Sequence, residues 1–234
     1  DMRYFEPRLA RRLGCLLNEY LYYFYYREKA LGNILKIGQT RGERIKEIND
    51  RMLKELGQYD VLKDFDEMLE VYGKYTYGRE KNYMQGETSV PRDDACIPKF
   101  SLDTWDEGGY AGVALALMRA KITGIEGEMI LCVPNQGTVD WLKDDDVIEV
   151  SCRISKEGAV PKPGPYILPE SAKQLVSAVK YYEREAASAI VEKNSEKAID
   201  ALMVNPLVGS YSLAKELLGE YLNIYAKYTG GWEV

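Results

Sequence analysis

Asn18-Glu19-Tyr20-Leu21-Tyr22-Tyr23-Phe24-Tyr25-Tyr26 places six aromatic side chains within seven residues, and five of the six are tyrosines. A helix buried in an apolar core would use Leu, Ile, Val or Phe, because each buried phenol needs a hydrogen-bond partner. We therefore expect this tyrosine segment (residues 18–26) to face something polar: a substrate, a partner domain or water.

Helical periodicity surrounds the tyrosine segment. Apolar residues recur at three- and four-residue steps and predict one continuous helix over residues 8–31. Thr40, with Glu43 three residues later, predicts a capping box at the start of a second helix over 41–57. The same periodicity predicts a third helix over 60–72.

Residues 73–104 show no clear period and contain several Gly and Pro residues, so we predict a flexible loop or an insertion there. Regular patterns then resume. They predict a helix over 108–121, strands over 128–133, 147–154 and 159–160, and helices over 170–192, 195–203 and 211–227. The predicted fold class is α+β, mostly helical with a small central mixed or antiparallel sheet.

Composition argues against several functional classes. The net charge is −6 without a long basic run, which argues against nucleic acid, and no apolar run approaches the roughly 20 residues that a membrane helix needs. The chain has no histidine and no Gly-rich loop between a strand and a helix, so we predict no metal site and no dinucleotide site within it. The scattered Cys15, Cys96, Cys132 and Cys152 form no CxxC pair, which favours a reducing cytoplasm.

Seven segments along the chain, in order and spacing, are similar to motifs of one enzyme family. They are Tyr20–Phe24 (Y-L-x-Y-Y), Thr40–Gly42 (T-R-A), Gly108-Gly109 (R-G-G), Val133–Val139 (V-P-N-N-G-x-I), Asp144–Cys152 (D-D-x-V-V-E-V-P-C), Asn205–Val208 (N-P-L-V) and Ala214–Leu218 (A-K-x-L-L). On these residues the chain resembles the C-terminal part of glycoside hydrolase family 4, whose members are NAD- and metal-dependent glycosidases and include 6-phospho-β-glucosidases. The resemblance leaves residues 73–104 uncovered.

The resemblance implies that residues 1–234 form the C-terminal substrate and catalytic domain of a longer enzyme. In that family an N-terminal Rossmann domain carries NAD, and the Cys and His that bind the metal precede the tyrosine segment. It implies NAD and a divalent metal, Mn, as cofactors of the full-length enzyme, with neither bound by this chain. The chain alone is then expected to be inactive, and the enzyme to be a cytoplasmic homo-oligomer with a fold similar to lactate dehydrogenase-like and family 4 C-terminal domains.

The family mechanism gives roles to residues that match its motifs. NAD oxidises the sugar at C3, the C2 proton becomes acidic, and a tyrosine removes it before the glycosidic oxygen leaves. By resemblance Tyr20 is the predicted base and Tyr23 the second choice, although both phenols could instead bond to backbone at an interface. Arg41 is predicted to bind the substrate phosphate or favour the phenolate, or else to pair with a nearby glutamate, and Gly108 and Gly109 to let backbone approach the substrate.

One position departs from the family pattern and keeps the substrate open. Glu107 stands where phospho-glucosidase members often have Arg, so the expected substrate is either a phosphorylated or a plain glycoside. Two other functional classes also stay open. The chain could be the substrate domain of a 2-hydroxy-acid dehydrogenase, although such domains use a catalytic His, or a non-enzymatic helical interaction module that binds through the tyrosine segment.

Overall fold

The computed structural model describes residues 2–93, 95–97, 109–164 and 167–232. They form two compact units. The first contains the described residues of Asp1–Ala10 and Leu16–Asp106, and the second contains those of Arg11–Cys15 and Glu107–Val234. Across these ranges, no helix combines the length and apolarity needed to cross a lipid bilayer.

The N-terminal half of the chain is helical. A 3₁₀ turn at Met2–Tyr4 is followed by α1 (Pro7–Leu13), a second 3₁₀ turn (Glu19–Leu21), α2 (Tyr22–Tyr25), α3 (Arg27–Ile37), α4 (Arg41–Leu56), α5 (Phe65–Lys81) and α6 (Gln85–Thr88). Within the first unit α3 packs against α6, and α4 packs against α5. The third predicted helix therefore begins at Phe65 rather than at residue 60.

The prediction of one helix over residues 8–31 is wrong. Helix α1 ends at Leu13, and Gly14 follows it in the left-handed region at φ 69°. Asn18 then starts a new turn, because its side-chain oxygen accepts a hydrogen bond from Leu21 N at 3.2 Å. The apolar period runs across this break, so periodicity alone could not reveal that the tyrosine segment is made of a 3₁₀ turn and a separate short helix.

The predicted capping box at α4 is confirmed. Thr40 Oγ1 accepts a hydrogen bond from Glu43 N at 3.2 Å, and Glu43 Oε2 accepts one from Thr40 N at 2.7 Å. The reciprocal pair satisfies two backbone donors that the first turn of a helix leaves without partners.

Part of the segment predicted as a loop at residues 73–104 is helical, and residues 94 and 98–104 of that segment lie outside the described residues. Helix α5 continues to Lys81, and α6 follows at Gln85–Thr88. Gly73, the first residue of the predicted loop, lies buried inside α5. A helix tolerates an internal glycine at a cost of about 1 kcal/mol when the surrounding packing compensates.

A three-stranded antiparallel sheet forms the centre of the second unit. Its strands β1 (Gly127–Pro134), β2 (Val147–Ser155) and β3 (Gly158–Pro161) lie in the order β1-β2-β3. Ile130 pairs with Ser151 across the first ladder and Ile154 with Ala159 across the second. Alternate residues of β2 are buried, as the sequence alternation predicts.

Helices complete the second unit: α7 (Gly109–Thr123), α8 (Glu170–Glu192), α9 (Ser195–Val204), α10 (Tyr211–Ile224) and α11 (Ala226–Thr229). One apolar cluster lies beneath the sheet, around Ile148, Val150 and Cys152. Another joins α8, α9 and α10 through Ala189, Ala198 and Leu218. The predicted α+β class, mostly helical with a small sheet, is confirmed.

Candidate functional site

The two predicted catalytic tyrosines lie on different local structures. Tyr20 is in the 3₁₀ turn that Asn18 caps, and 63% of its surface is exposed. Tyr23 is the second residue of α2 and is partly buried. The two are therefore not neighbours on one continuous helix face, and the solvent reaches them to different extents.

Tyr23 is held by a carboxylate. Its hydroxyl donates a hydrogen bond to Glu87 Oε1 at 2.9 Å and also lies 3.7 Å from Met84 Sδ. Burial, then the hydrogen bond and negative charge of Glu87, raise the pKa of Tyr23 above its usual range, and the positive charge of Arg41 opposes them. The balance keeps Tyr23 a neutral phenol that donates its hydrogen to Glu87.

Tyr83 contacts two of the predicted site residues, Arg41 and Tyr20. The Arg41 guanidinium lies over its ring at 4.6 Å from the centroid, and that of Arg92 lies at 5.8 Å. The Tyr83 hydroxyl donates a hydrogen bond to Glu19 Oε1 at 3.2 Å. Burial, then a hydrogen bond with Tyr20, raise the pKa of Tyr83, and the charge of Glu19 adds to the effect.

The structure thus brings Tyr20, Tyr23 and Arg41 into one group within the first unit. The two glutamates close to Arg41 in sequence have other contacts. Glu43 closes the capping box with Thr40, and Glu47 accepts a hydrogen bond from Gln39 and pairs with Arg51. The group contains the two phenols and the Arg41 guanidinium, with Tyr83 and the carboxylates of Glu19 and Glu87 in contact with it. Its hydroxyls can bond to a hydroxylated ligand, and its guanidinium can bind an anionic group.

Sequence reasoning missed Tyr83 and Glu87. Both lie in the segment that was predicted as a loop, so no periodic pattern assigned them to a face. Neither position matches one of the family motifs quoted above. The described fold brings them to the tyrosine segment across more than 60 residues of chain, with separations of 64 residues for both the Tyr23–Glu87 and Tyr83–Glu19 hydrogen bonds.

Of the two predicted glycines, Gly109 lies within the described residues. Gly108 and the divergent Glu107 lie outside the described residues. Gly109 is the first residue of α7 and has φ 64°, a left-handed conformation that favours glycine. Gly109 belongs to the second unit, whereas the tyrosine group belongs to the first.

The described residues do not fit a metal ion. Within them, no group of three or more His, Cys, Asp or Glu side chains lies close enough together to hold one. The chain contains no histidine, and Cys15, Cys96, Cys132 and Cys152 are free cysteines. A metal bound near the tyrosine group would need ligands from outside this part of the chain.

Comparisons of the chain with known proteins all point to one enzyme family. Residues 3–208 match the family described as "Family 4 glycosyl hydrolase C-terminal domain". A probable 6-phospho-β-glucosidase of Bacillus subtilis (strain 168) is 26% identical over 224 residues, which are 95% of this chain and 43% of that protein. A 6-phospho-β-glucosidase of Thermotoga maritima is 32% identical over 120 residues, covering 51% of this chain and 28% of the relative.

Solved structures share the fold. One of the 6-phospho-β-glucosidase from Thermotoga maritima has a TM-score of 0.64 at 21% identity, and covers 96% of this chain and 45% of its own. Another, with manganese, NAD⁺ and glucose-6-phosphate, has a TM-score of 0.61 at 20% identity and the same coverage. The chain therefore spans less than half the length of these relatives.

Proposed function

We propose, because this chain belongs to family 4 of the glycosyl hydrolases, that it is the C-terminal domain of an NAD- and manganese-dependent enzyme that hydrolyses 6-phosphoglycosides. The observation that carries the proposal is the group formed by Tyr20, Tyr23 and Arg41, three residues that match the family's motifs and lie together in the fold. In this proposal the rest of the protein supplies the NAD site and the metal ligands.

Tyr20 is the proposed base. When bound, the cofactor oxidises the sugar at C3, which makes the C2 proton acidic. An exposed phenol can reach a substrate carbon, and Tyr20 is 63% exposed, whereas the hydroxyl hydrogen of Tyr23 is directed to Glu87. In this proposal Tyr20 therefore accepts the C2 proton.

The proposed substrate carries a phosphate. Relatives across the length of the chain are 6-phospho-glucosidases by name, and one related structure contains glucose-6-phosphate. Arg41 offers a planar guanidinium of the kind that binds phosphate oxygens in pairs. The Glu107 departure concerns only one position and leaves this cation in the group.

The two other functional classes receive less support. A 2-hydroxy-acid dehydrogenase domain would need a catalytic His, which this chain lacks, and the family match points elsewhere. A non-enzymatic helical interaction module that binds through the tyrosine segment also receives less support, because the chain matches a family of enzymes. Self-association and a cytoplasmic location remain part of the proposal, supported by the free cysteines and by exposed Tyr221 and Ile224 on α10.

Turnover by the full-length protein tests the proposal. Chromogenic glucosides with and without a 6-phosphate should be incubated with the protein, with NAD or manganese omitted in turn. We expect release of the chromophore only from the 6-phosphate, and only with both cofactors present. Equal turnover of the plain glucoside, or turnover that persists after NAD removal, would contradict it. Sedimentation of the same preparation checks self-association.

A further inference from the structure

The Glu87 carboxylate is buried beside the proposed catalytic group. Only 6% of Glu87 is exposed, although an ionised carboxylate is normally kept in contact with water. Its Oε1 accepts the Tyr23 hydroxyl at 2.9 Å, and its backbone oxygen accepts a hydrogen bond from Asn33 Nδ2 at 2.8 Å. Side chain and main chain of Glu87 are thus both fixed to the neighbouring helices α2 and α3.

The backbone around Glu87 takes an uncommon conformation. Met84 and Ser89, which flank the four-residue α6, both lie in the left-handed region at φ 59°. Residues with a side chain rarely adopt this conformation, and when they do the strain is often found at functional sites. Thr88 Oγ1 closes the turn by donating to Met84 O at 2.6 Å. The result is that α6 directs Glu87 inward toward Tyr23.

This arrangement gives the two tyrosines different chemical properties. A phenol has one hydrogen to donate, and that of Tyr23 is directed to Glu87, so only the lone pairs of its oxygen remain for another partner. The groups that act on Tyr23 are Glu87 and Tyr20, which disfavour its ionised form, and Arg41, which favours it. A phenol held neutral in this way is a poor base, but its oxygen can still accept a hydrogen bond from a substrate hydroxyl.

We propose that Glu87 is a positioning residue that fixes Tyr23 as a neutral phenol with its lone pairs toward the substrate, so that Tyr20 alone serves as the base. This inference rests on the proposed glycosidase function. In it Glu87 does not touch the substrate but acts through Tyr23, which orients the sugar while Tyr20 removes the proton.

Glu87→Gln in the full-length protein tests the inference, because the amide keeps the volume and removes the charge. Ionisation of Tyr23 is followed by nuclear magnetic resonance with isotope-labelled tyrosine, and Tyr23→Phe identifies the resonance. Glu55→Gln is the matched control: Tyr75 donates to Glu55 Oε2 at 2.7 Å in the same kind of pair, between α4 and α5.

We expect Tyr23 to ionise at lower pH in Glu87→Gln than in the unsubstituted protein, and kcat to fall by up to about 100-fold, the loss typical of a misplaced orienting group. KM should change much less. Glu55→Gln should leave the Tyr23 resonance, kcat and KM unchanged. An unaltered Tyr23 titration, or a kcat within about twofold of the parent enzyme, would overturn the inference.

A second variant keeps the test decisive if Glu87→Gln does not fold. Tyr23→Phe removes the hydroxyl and keeps the ring, so it should slow the reaction but retain measurable exchange of the substrate C2 proton with solvent. Complete loss of that exchange would make Tyr23 the base and would overturn the inference. If the parent protein has no glycosidase activity, the proposed function fails, while the Tyr23 titration still reports on Glu87.

Discussion

Replacing Asn135 should destabilise the turn that joins β1 to β2. Asn135 is fully buried. Its Oδ1 accepts a hydrogen bond from Val139 N at 2.7 Å, and its Nδ2 lies 3.0 Å from Val139 O, 3.2 Å from Leu142 O and 3.1 Å from Lys143 O. An amide nitrogen has two hydrogens, so these contacts amount to about three hydrogen bonds at one time.

The expected cost of Asn135→Ala follows from that count. Each hydrogen bond contributes about 1 kcal/mol net, so the turn should lose about 3 kcal/mol of local stability. Since 1.4 kcal/mol is a factor of ten, backbone amides of the turn should exchange with deuterium about 100-fold faster. Hydrogen exchange followed by mass spectrometry of the peptide covering residues 135–146 measures this directly.

Two further variants make the Asn135 result interpretable. Gln136→Ala lies in the same turn but on the exposed surface, so it should change exchange little. Asn135→Asp should match or exceed the alanine loss at neutral pH, because a carboxylate would face the oxygens of Val139, Leu142 and Lys143. If Asn135→Ala exchanged no faster than Gln136→Ala, the argument that these hydrogen bonds hold the turn would be refuted.

Two other predictions concern stability. Arg184 Nη1 lies 2.6 Å from Asp146 Oδ1, and the Asp146 side chain is 2% exposed. Burial of the Asp146 carboxylate opposes its ionisation. The hydrogen bonds from Arg184 and Lys143 N outweigh this effect and hold the pKa of Asp146 below its usual range. Arg184→Met should therefore lower the free energy of unfolding by about 2 kcal/mol, less than for a fully buried ion pair because Arg184 is 29% exposed. Urea unfolding should show this loss in full above about pH 4, and the loss should vanish as the pH falls through the lowered pKa of Asp146. A loss that does not depend on pH would contradict this prediction. Tyr22→Phe should leave stability unchanged or raise it by up to about 1 kcal/mol, because the buried Tyr22 hydroxyl has no hydrogen-bond partner among the described residues, and a loss above about 1 kcal/mol in thermal unfolding would refute this.

Local signals predicted those parts of the fold that local interactions determine. The capping box at Thr40 and Glu43 and the alternation along β2 appear where expected, because each depends on residues close in sequence. The break at Gly14 and Asn18 escaped prediction, since the apolar period continues across it. The continuation of α5 through Gly73 also escaped prediction, because the burial of Gly73 in a helix that packs against α4 is tertiary structure, which a local pattern does not report.

In the candidate site, too, some residues could be predicted from the sequence and others depend on tertiary contacts. Tyr20, Tyr23 and Arg41 could be named because they match motifs of a known family, not because their spacing revealed chemistry. Tyr83 and Glu87 could not be named, since their contacts with the tyrosine segment join residues 64 apart in the chain. Their contribution is electrostatic, and it becomes visible only when burial and hydrogen bonds are known.

Exchange of the substrate C2 proton in the Tyr20→Phe variant tests the central claim most directly. The full-length protein, with NAD and manganese, is incubated with substrate in deuterated water, and deuterium at C2 is measured. Tyr211→Phe serves as control, because Tyr211 is 58% exposed, close to the 63% of Tyr20, and lies in the second unit. We predict that Tyr20→Phe loses C2 exchange while NAD binding is retained and that Tyr211→Phe keeps both. Normal C2 exchange in Tyr20→Phe would remove Tyr20 from the mechanism.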